Sequence, residues 1–176
     1  SAGGAGIDPE LRLQNNGGYW AILNDDTDDG LKFYTDGGGA GTRMTILPAG
    51  KVGIGTTSPG SLLEVSGSTG DDFACAGVLT LSTTDTAIVD GDVLGIIQFQ
   101  ASLEGSPDGR VPACAIWGEA DGTFASDSNK GELVFATASS ETAIAYAQER
   151  MRIDYSGNVG IGTTTPGAAL EISNAG

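Results

Sequence analysis

Apolar and polar positions in this chain arrange themselves in short, partly alternating runs, and the signals are overwhelmingly those of β-strands. Residues 11–14 (LRLQ), 19–23 (YWAIL), 31–34 (LKFY) and 44–47 (MTIL) predict a meander in the first part of the chain. Residues 78–83 (VLTLST), 94–101 (LGIIQFQA), 111–117 (VPACAIW), 132–137 (ELVFAT) and 150–154 (RMRID) predict five more strands. Turn chemistry bounds them: Asp90-Gly91, Asp108-Gly109, Asp121-Gly122 and Ser156-Gly157-Asn158. Residues 141–150 (ETAIAYAQER) are alanine-rich and form the one helix candidate, between two strand signals. The expected fold class is all-β: two antiparallel β modules, each a meander or small sandwich.

One stretch occurs twice. KVGIGTTSPGSLLEVS at residues 51–66 returns as NVGIGTTTPGAALEIS at 158–173, and RMTILPAG at 43–50 returns as RMRIDYSG at 150–157. Both pairs share an offset of 107 residues. Upstream, GLKFY at 30–34 resembles ELVFA at 132–136 after a change in spacing. A period this long suits modules strung along an axis rather than solenoid coils. The expected organisation is an N-terminal β module over 1–50, a connector strand over 51–67, a larger β module over 68–157 and a second connector over 158–176. Within the signature, Val52 and Ile54, like Val159 and Ile161, alternate with glycine and send their side chains to one face. Gly53, Gly55, Gly160 and Gly162 leave the backbone bare, which permits close approach of another strand or chain. The Thr-Thr pair is expected to continue the extended form until proline stops it.

Composition narrows the chemistry. With 29 glycines in 176 residues and 6% aromatics, the core material is lean, so burial is expected to be thin or borrowed from neighbouring chains. Ordering a residue costs about 1.5 kcal/mol, against roughly 25 cal/mol for each Å² of apolar surface buried. A lone chain should therefore be marginal, and an elongated homotrimer around Val52, Ile54, Val159 and Ile161 is the expected assembly. The balance of 8 basic against 23 acidic residues, net −15, speaks against nucleic-acid backbones and anionic membrane surfaces. No window is long and apolar enough to cross a bilayer as a helix. The start, Ser1-Ala-Gly-Gly-Ala-Gly6, reads as a flexible lead-in without a signal peptide, as expected of a fragment or processed product.

Without histidine there is no Ser-His-Asp set and no usual general base. A phosphate loop would need a helix and a Gly-Lys-Ser/Thr after its glycines, whereas Gly53-Ile54-Gly55 leads to Ser-Pro and a strand. Asp25, Thr27, Asp29 and Asp36, with Gly30 between, can be threaded on a calcium loop, although an acidic turn between strands is the ordinary explanation. Carboxylate pairs for glycosidic cleavage can be drawn from Glu104, Asp108, Glu119 and Asp121, but 23 acids supply such pairs by chance. Tyr19, Trp20, Trp117 and Phe124 suit a sugar-stacking surface or, in so aromatic-poor a chain, core anchors. Cys75 and Cys114 each lie in an apolar stretch, as buried free thiols or as a disulfide between neighbouring strands. No catalytic residue and no cofactor beyond that calcium candidate emerges.

The stretch RMRIDYSGNVGIGTTTP at 150–166 resembles the "RMRIDSSGNVGIGTTSP" element of tailed-phage tail fibres. GDVLGIIQF at 91–99, ADGTF at 120–124 and GELVFAT at 131–137 are also similar to those fibres. The likeness covers about residues 75–173 well and 7–66 more loosely. It implies an elongated homotrimer of β-rich modules on the virion, carrying host recognition toward a surface glycan or protein. Such fibres often end in a self-cleaving chaperone domain, to which nothing here corresponds. The family supplies no catalytic residues. A cell-surface adhesin or extracellular filament subunit on the bacterial surface is the alternative, and a glycan depolymerase a third.

Overall fold

The structure is a computed structural model describing residues 9–37, 40–70, 72–100, 112–139 and 148–173. The chain divides into two compact units, residues 1–80 and 81–176. Each is built on one six-stranded sheet whose strands follow one another in chain order. In the first unit these are β1 (Glu10–Asn15), β2 (Gly18–Asp25), β3 (Gly30–Thr35), β4 (Gly41–Ile46), β5 (Val52–Ile54) and β6 (Leu63–Val65). In the second they are β7 (Val93–Phe99), β8 (Cys114–Ala120), β9 (Gly131–Thr137), β10 (Glu149–Ile153), β11 (Val159–Ile161) and β12 (Leu170–Ile172). The sole helical element among the described residues is a 3-10 turn, Phe73–Cys75. The protein is all-β.

Two features of the sheets differ from the expectation. The last pair of each unit, β5 with β6 and β11 with β12, is parallel, so both sheets are mixed. The segments expected to be connectors, 51–67 and 158–176, therefore add two strands apiece to the sheet before them. The unit boundary falls after Thr80 rather than near residue 67. Residues 78–83 form no strand: no sheet accepts them, and Val78 and Leu79 are exposed. The helix candidate at 141–150 lies mostly outside the described residues, and its end, from Glu149, belongs to β10.

Equivalence of the units extends to irregularities. A register shift between β3 and β4 falls at Arg43, and its counterpart between β9 and β10 falls at Arg150, 107 residues on. Register sorts the side chains. In the first sheet one face carries Leu11 and Leu13 of β1, Trp20 and Ile22 of β2, and Leu31 and Phe33 of β3. Met44 and Ile46 of β4, Val52 and Ile54 of β5, and Leu63 and Val65 of β6 complete it. The second sheet repeats the plan with Ile97 and Phe99, Cys114 and Ile116, and Leu133 and Phe135. Met151 and Ile153, Val159 and Ile161, and Leu170 and Ile172 follow on its remaining strands.

These apolar faces are the open ones. Leu13 is 66% exposed, Trp20 53% and Ile172 70%. Apart from Thr35 and Ala120 at strand ends, the buried strand residues occupy the other register. In the first unit these include Ala21, Lys32, Thr45 and Gly53; in the second, a small core of Ala115, Trp117, Val134 and Ala136 with Ile96 against it. Trp117 is thus a core anchor, as expected, whereas Trp20 is not: its strand position directs it to the open face.

Candidate functional site

The duplicated signature is the first candidate. After β5 the chain reverses at Gly55, whose φ of +77° is in the left-handed region that favours glycine. It then folds back over Gly53 on the polar face and re-enters the sheet as β6, with Val52 beside Leu63. A Cβ on Gly53 would meet the Thr56 carbonyl oxygen at 2.5 Å and the Pro59 ring at 3.4 Å. A Cβ on Gly55 would lie 2.1 Å from the Ser66 carbonyl oxygen. The second copy repeats this: a Cβ on Gly160 would lie 2.7 Å from the Thr163 carbonyl oxygen, and one on Gly162, φ +70°, 2.3 Å from that of Ser173. The close approach that the glycines permit is thus made within the chain, by the loop itself.

Several polar groups of the loop have a local use. The first threonine turns the chain, its hydroxyl accepting from Ser58 N–H at 3.2 Å in one copy and Thr165 N–H at 3.3 Å in the other. Its methyl lies against the glycine. The threonines do not continue the strand, which has already ended at Ile54 and Ile161. Glu64 and Glu171 reach back from the returning strand to accept the Gly60 and Gly167 amides, both at 2.8 Å. Lys51 donates to the carbonyls of Pro59 and Gly60. A glutamate already holds the loop amide that a phosphate would seek, and a strand rather than a helix follows.

The acidic turn between β2 and β3 is the second candidate. Asp25 accepts from Thr27 N–H at 2.9 Å and from the Lys32 ammonium at 2.5 Å, and Asp28 pairs with the same ammonium at 2.9 Å. Asp29, at φ +55°, belongs to the turn. Asp36 is not brought to them. It accepts the Tyr19 N–H at the far end of the hairpin, about five residues or 17 Å along the strands. The Lys32 hydrogen bond, then that of the Thr27 amide, holds Asp25 down at about 2. Burial works against the charge on Lys32, but the hydrogen bonds to Asp25 and Asp28 outweigh it and raise its pKa. A lysine ammonium stands among the carboxylates where a cation was expected, and no metal-ligating cluster occurs among the described residues.

A third candidate was not legible beforehand. In the second unit, Asp90, Glu119, Asp121, Glu132, Asp154, Arg152 and Thr164 line an open cleft of about 570 Å³ beside the signature loop. Arg152 donates to Glu132 and Glu149, both at 2.6 Å, and these two carboxylates raise its pKa further. Burial pushes the Glu132 carboxyl up, Arg152 opposes this, and neighbouring Asp121 and Glu119 add to the rise. Glu119 accepts the Trp117 indole N–H at 2.7 Å. The cleft is rich in acceptors and offers itself to a hydroxyl-bearing ligand. Of the carboxylates singled out from the sequence, Glu119 and Asp121 are here, whereas Glu104 and Asp108 lie outside the described residues.

Tyr19, Trp20, Trp117 and Phe124, singled out from the sequence, form no common stacking platform within either unit. Tyr19 and Trp20, adjacent in β2, point to opposite faces. Tyr19 packs on Tyr34 and under Arg12, whose guanidinium carbon lies 4.0 Å from its ring centre. Trp117 and Phe124 belong to the other unit. Cys75 and Cys114 are free thiols, one in each unit. No family model matches the chain, and no curated protein matches it.

Proposed function

We propose that this chain is a non-enzymatic structural fibre protein of the tailed-phage tail-fibre kind, a homotrimer on the virion that takes part in host attachment. The observation that carries the reading is the tandem repetition of one six-stranded unit, closed each time by the same Gly-Ile-Gly-Thr-Thr loop. A catalytic loop is needed once. A module that sets geometry is used as often as length requires. In both loops the first threonine and the following glutamate hold the loop's own backbone, which suits a structural part. Host contact then falls to the polar face and its connecting loops, toward a surface glycan or protein. The same modules would serve a bacterial adhesin or extracellular filament, and neighbouring genes for tails or for secretion would separate the two.

Imaging the purified chain, with its mass by light scattering, tests the reading. Rods of trimer mass are expected, and globules of 17.7 kDa would overturn it. The cleft with Glu119, Asp121 and Glu132 favours one competing reading, a glycan depolymerase. Release of reducing ends from host polysaccharide, abolished by Glu119→Gln, would establish that instead.

A further inference from the structure

We infer that the open apolar face of each six-stranded sheet is where copies of this chain meet. The inference rests on the fibre reading above and names the surface that assembly uses, wider than the Val52, Ile54, Val159 and Ile161 set taken from the sequence. Two apolar side chains per strand line each face; Trp20, Phe99 and most of the leucines and isoleucines there are exposed, while Phe33 and Phe135 are half-buried. A sheet ordinarily buries one face against another layer. Monomers seldom leave contiguous apolar patches beyond a few hundred Å² in water. Six strands at about 4.8 Å spacing, with three to six residues of about 3.3 Å each, make one face about 28 Å by 10–20 Å. Two such faces approach the roughly 800 Å² per partner that a stable interface buries.

Charge identifies the occupant. The chain carries net −15, so two copies repel each other over most of their surface. Away from the register shifts at Arg43 and Arg150, the charged strand residues, among them Glu10, Arg12, Lys32, Arg152 and Glu171, fall in the other register. The apolar faces are the surfaces on which acidic copies can approach without opposing charges. Among the hydrogen bonds described, the one ionised side chain bonded to a residue of that register is Arg150, at the β9–β10 register shift. Its guanidinium donates to Thr137 at 3.0 Å at the margin of the second face, so the interior of each face selects by apolar contact. The same face occurs twice per chain in the same plan, so each copy offers its neighbours matching layers that can pack face to face about 10 Å apart.

Leu13 and Gln14 make a matched test: they are neighbours on edge strand β1, both exposed and on opposite faces. Ile172, on edge strand β12, tests the second sheet. Sedimentation of the full chain over a range of concentrations reads assembly, circular dichroism reads the fold, and an apolar-surface dye reads the faces. Leu13→Lys and Ile172→Lys should each raise the concentration needed for assembly about a hundredfold, because each buries an unpaired charge. Gln14→Lys should leave it unchanged. Dye should stay dark with the assembled wild type and brighten on dilution, which decides the matter even where a lysine variant fails to fold. An assembly that binds dye, or that tolerates both lysines, would overturn the face while leaving the fibre reading in place. A folded wild-type monomer, whether its faces close on each other or wait for another protein, would overturn both.

Discussion

At the scale of single residues, the two units solve the same electrostatic problem with the cation on different strands. Lys32 pairs across the sheet with Thr45, and at the equivalent positions Val134 pairs with Arg152. One buried cation is kept on the polar face of each unit, on β3 in the first and on β10 in the second, held by two carboxylates each time. The aligned sequence reads as two unrelated substitutions, because the link between positions 32 and 45 exists only in the register. The calcium reading failed to anticipate this for a similar reason. Spacing along the chain brings Asp36 near Asp25, while the hairpin carries it to the far end. The ion pair has a pH signature. The folded pKa of Asp25, about 2, lies below the ordinary carboxylate value of about 3.9. Its contribution to stability is therefore present above about pH 4 and is lost as pH falls toward 2. Asp25→Asn should lower stability at pH 7 and flatten the acid limb between pH 4 and 2, as read by melting temperature against pH. A variant with the wild-type slope would place the acid-sensitive group elsewhere.

At the scale of elements, the strands were legible wherever alternation met a partner. Residues 31–34, 94–99 and 132–137 lie in β3, β7 and β9 because each has a neighbour on both sides or one long pairing. The same alternation at 78–83 found no sheet, and pattern alone carries no information about that. The parallel closure was hidden too. Parallel pairs ordinarily need a connection of about a dozen residues or more, and the eight residues between β5 and β6 are short for it. They suffice because the loop presses directly on Gly53 and turns at Gly55, so it follows the sheet surface without a layer between. Glycine there answers a packing need inside one chain. Gly55→Ala and Gly162→Ala should each cost about 2 kcal/mol or more, from the left-handed φ together with a carbonyl in the Cβ position. Gly41, with open space around it and no positive φ, should accept alanine within about 0.5 kcal/mol. Urea midpoints of the three variants check this, and equal effects at Gly41 and Gly55 would mean that the loop does not need its glycines for packing.

At the scale of the whole molecule, the imbalance between the two faces of each sheet decides how stability is held. The buried apolar residues among those described are Ala21, Ala115, Trp117, Ala120, Val134 and Ala136, four of them alanines. Alanine brings little apolar area, so this core is small beside the conformational entropy of ordering the chain. The larger side chains, the leucines, isoleucines and Trp20 of the open faces, contribute their transfer free energy only once something covers them. If copies of the chain cover one another, folding and association are one equilibrium, and the melting temperature depends on protein concentration. For three chains separating as they unfold, each tenfold dilution removes about 2.8 kcal/mol per trimer, two factors of the 1.4 kcal/mol that a tenfold change is worth. With an unfolding entropy of about 2.1 cal/mol/K for each residue, three 176-residue chains should melt about 2.5 °C lower per tenfold dilution. Calorimetry over a hundredfold range of concentration, with light scattering recorded through the same transition, should give a shift of about 5 °C and a loss of mass that coincides with unfolding. A melting temperature independent of concentration, or a mass that falls to 17.7 kDa while the strands persist, would mean that each unit is stable with its apolar face in water.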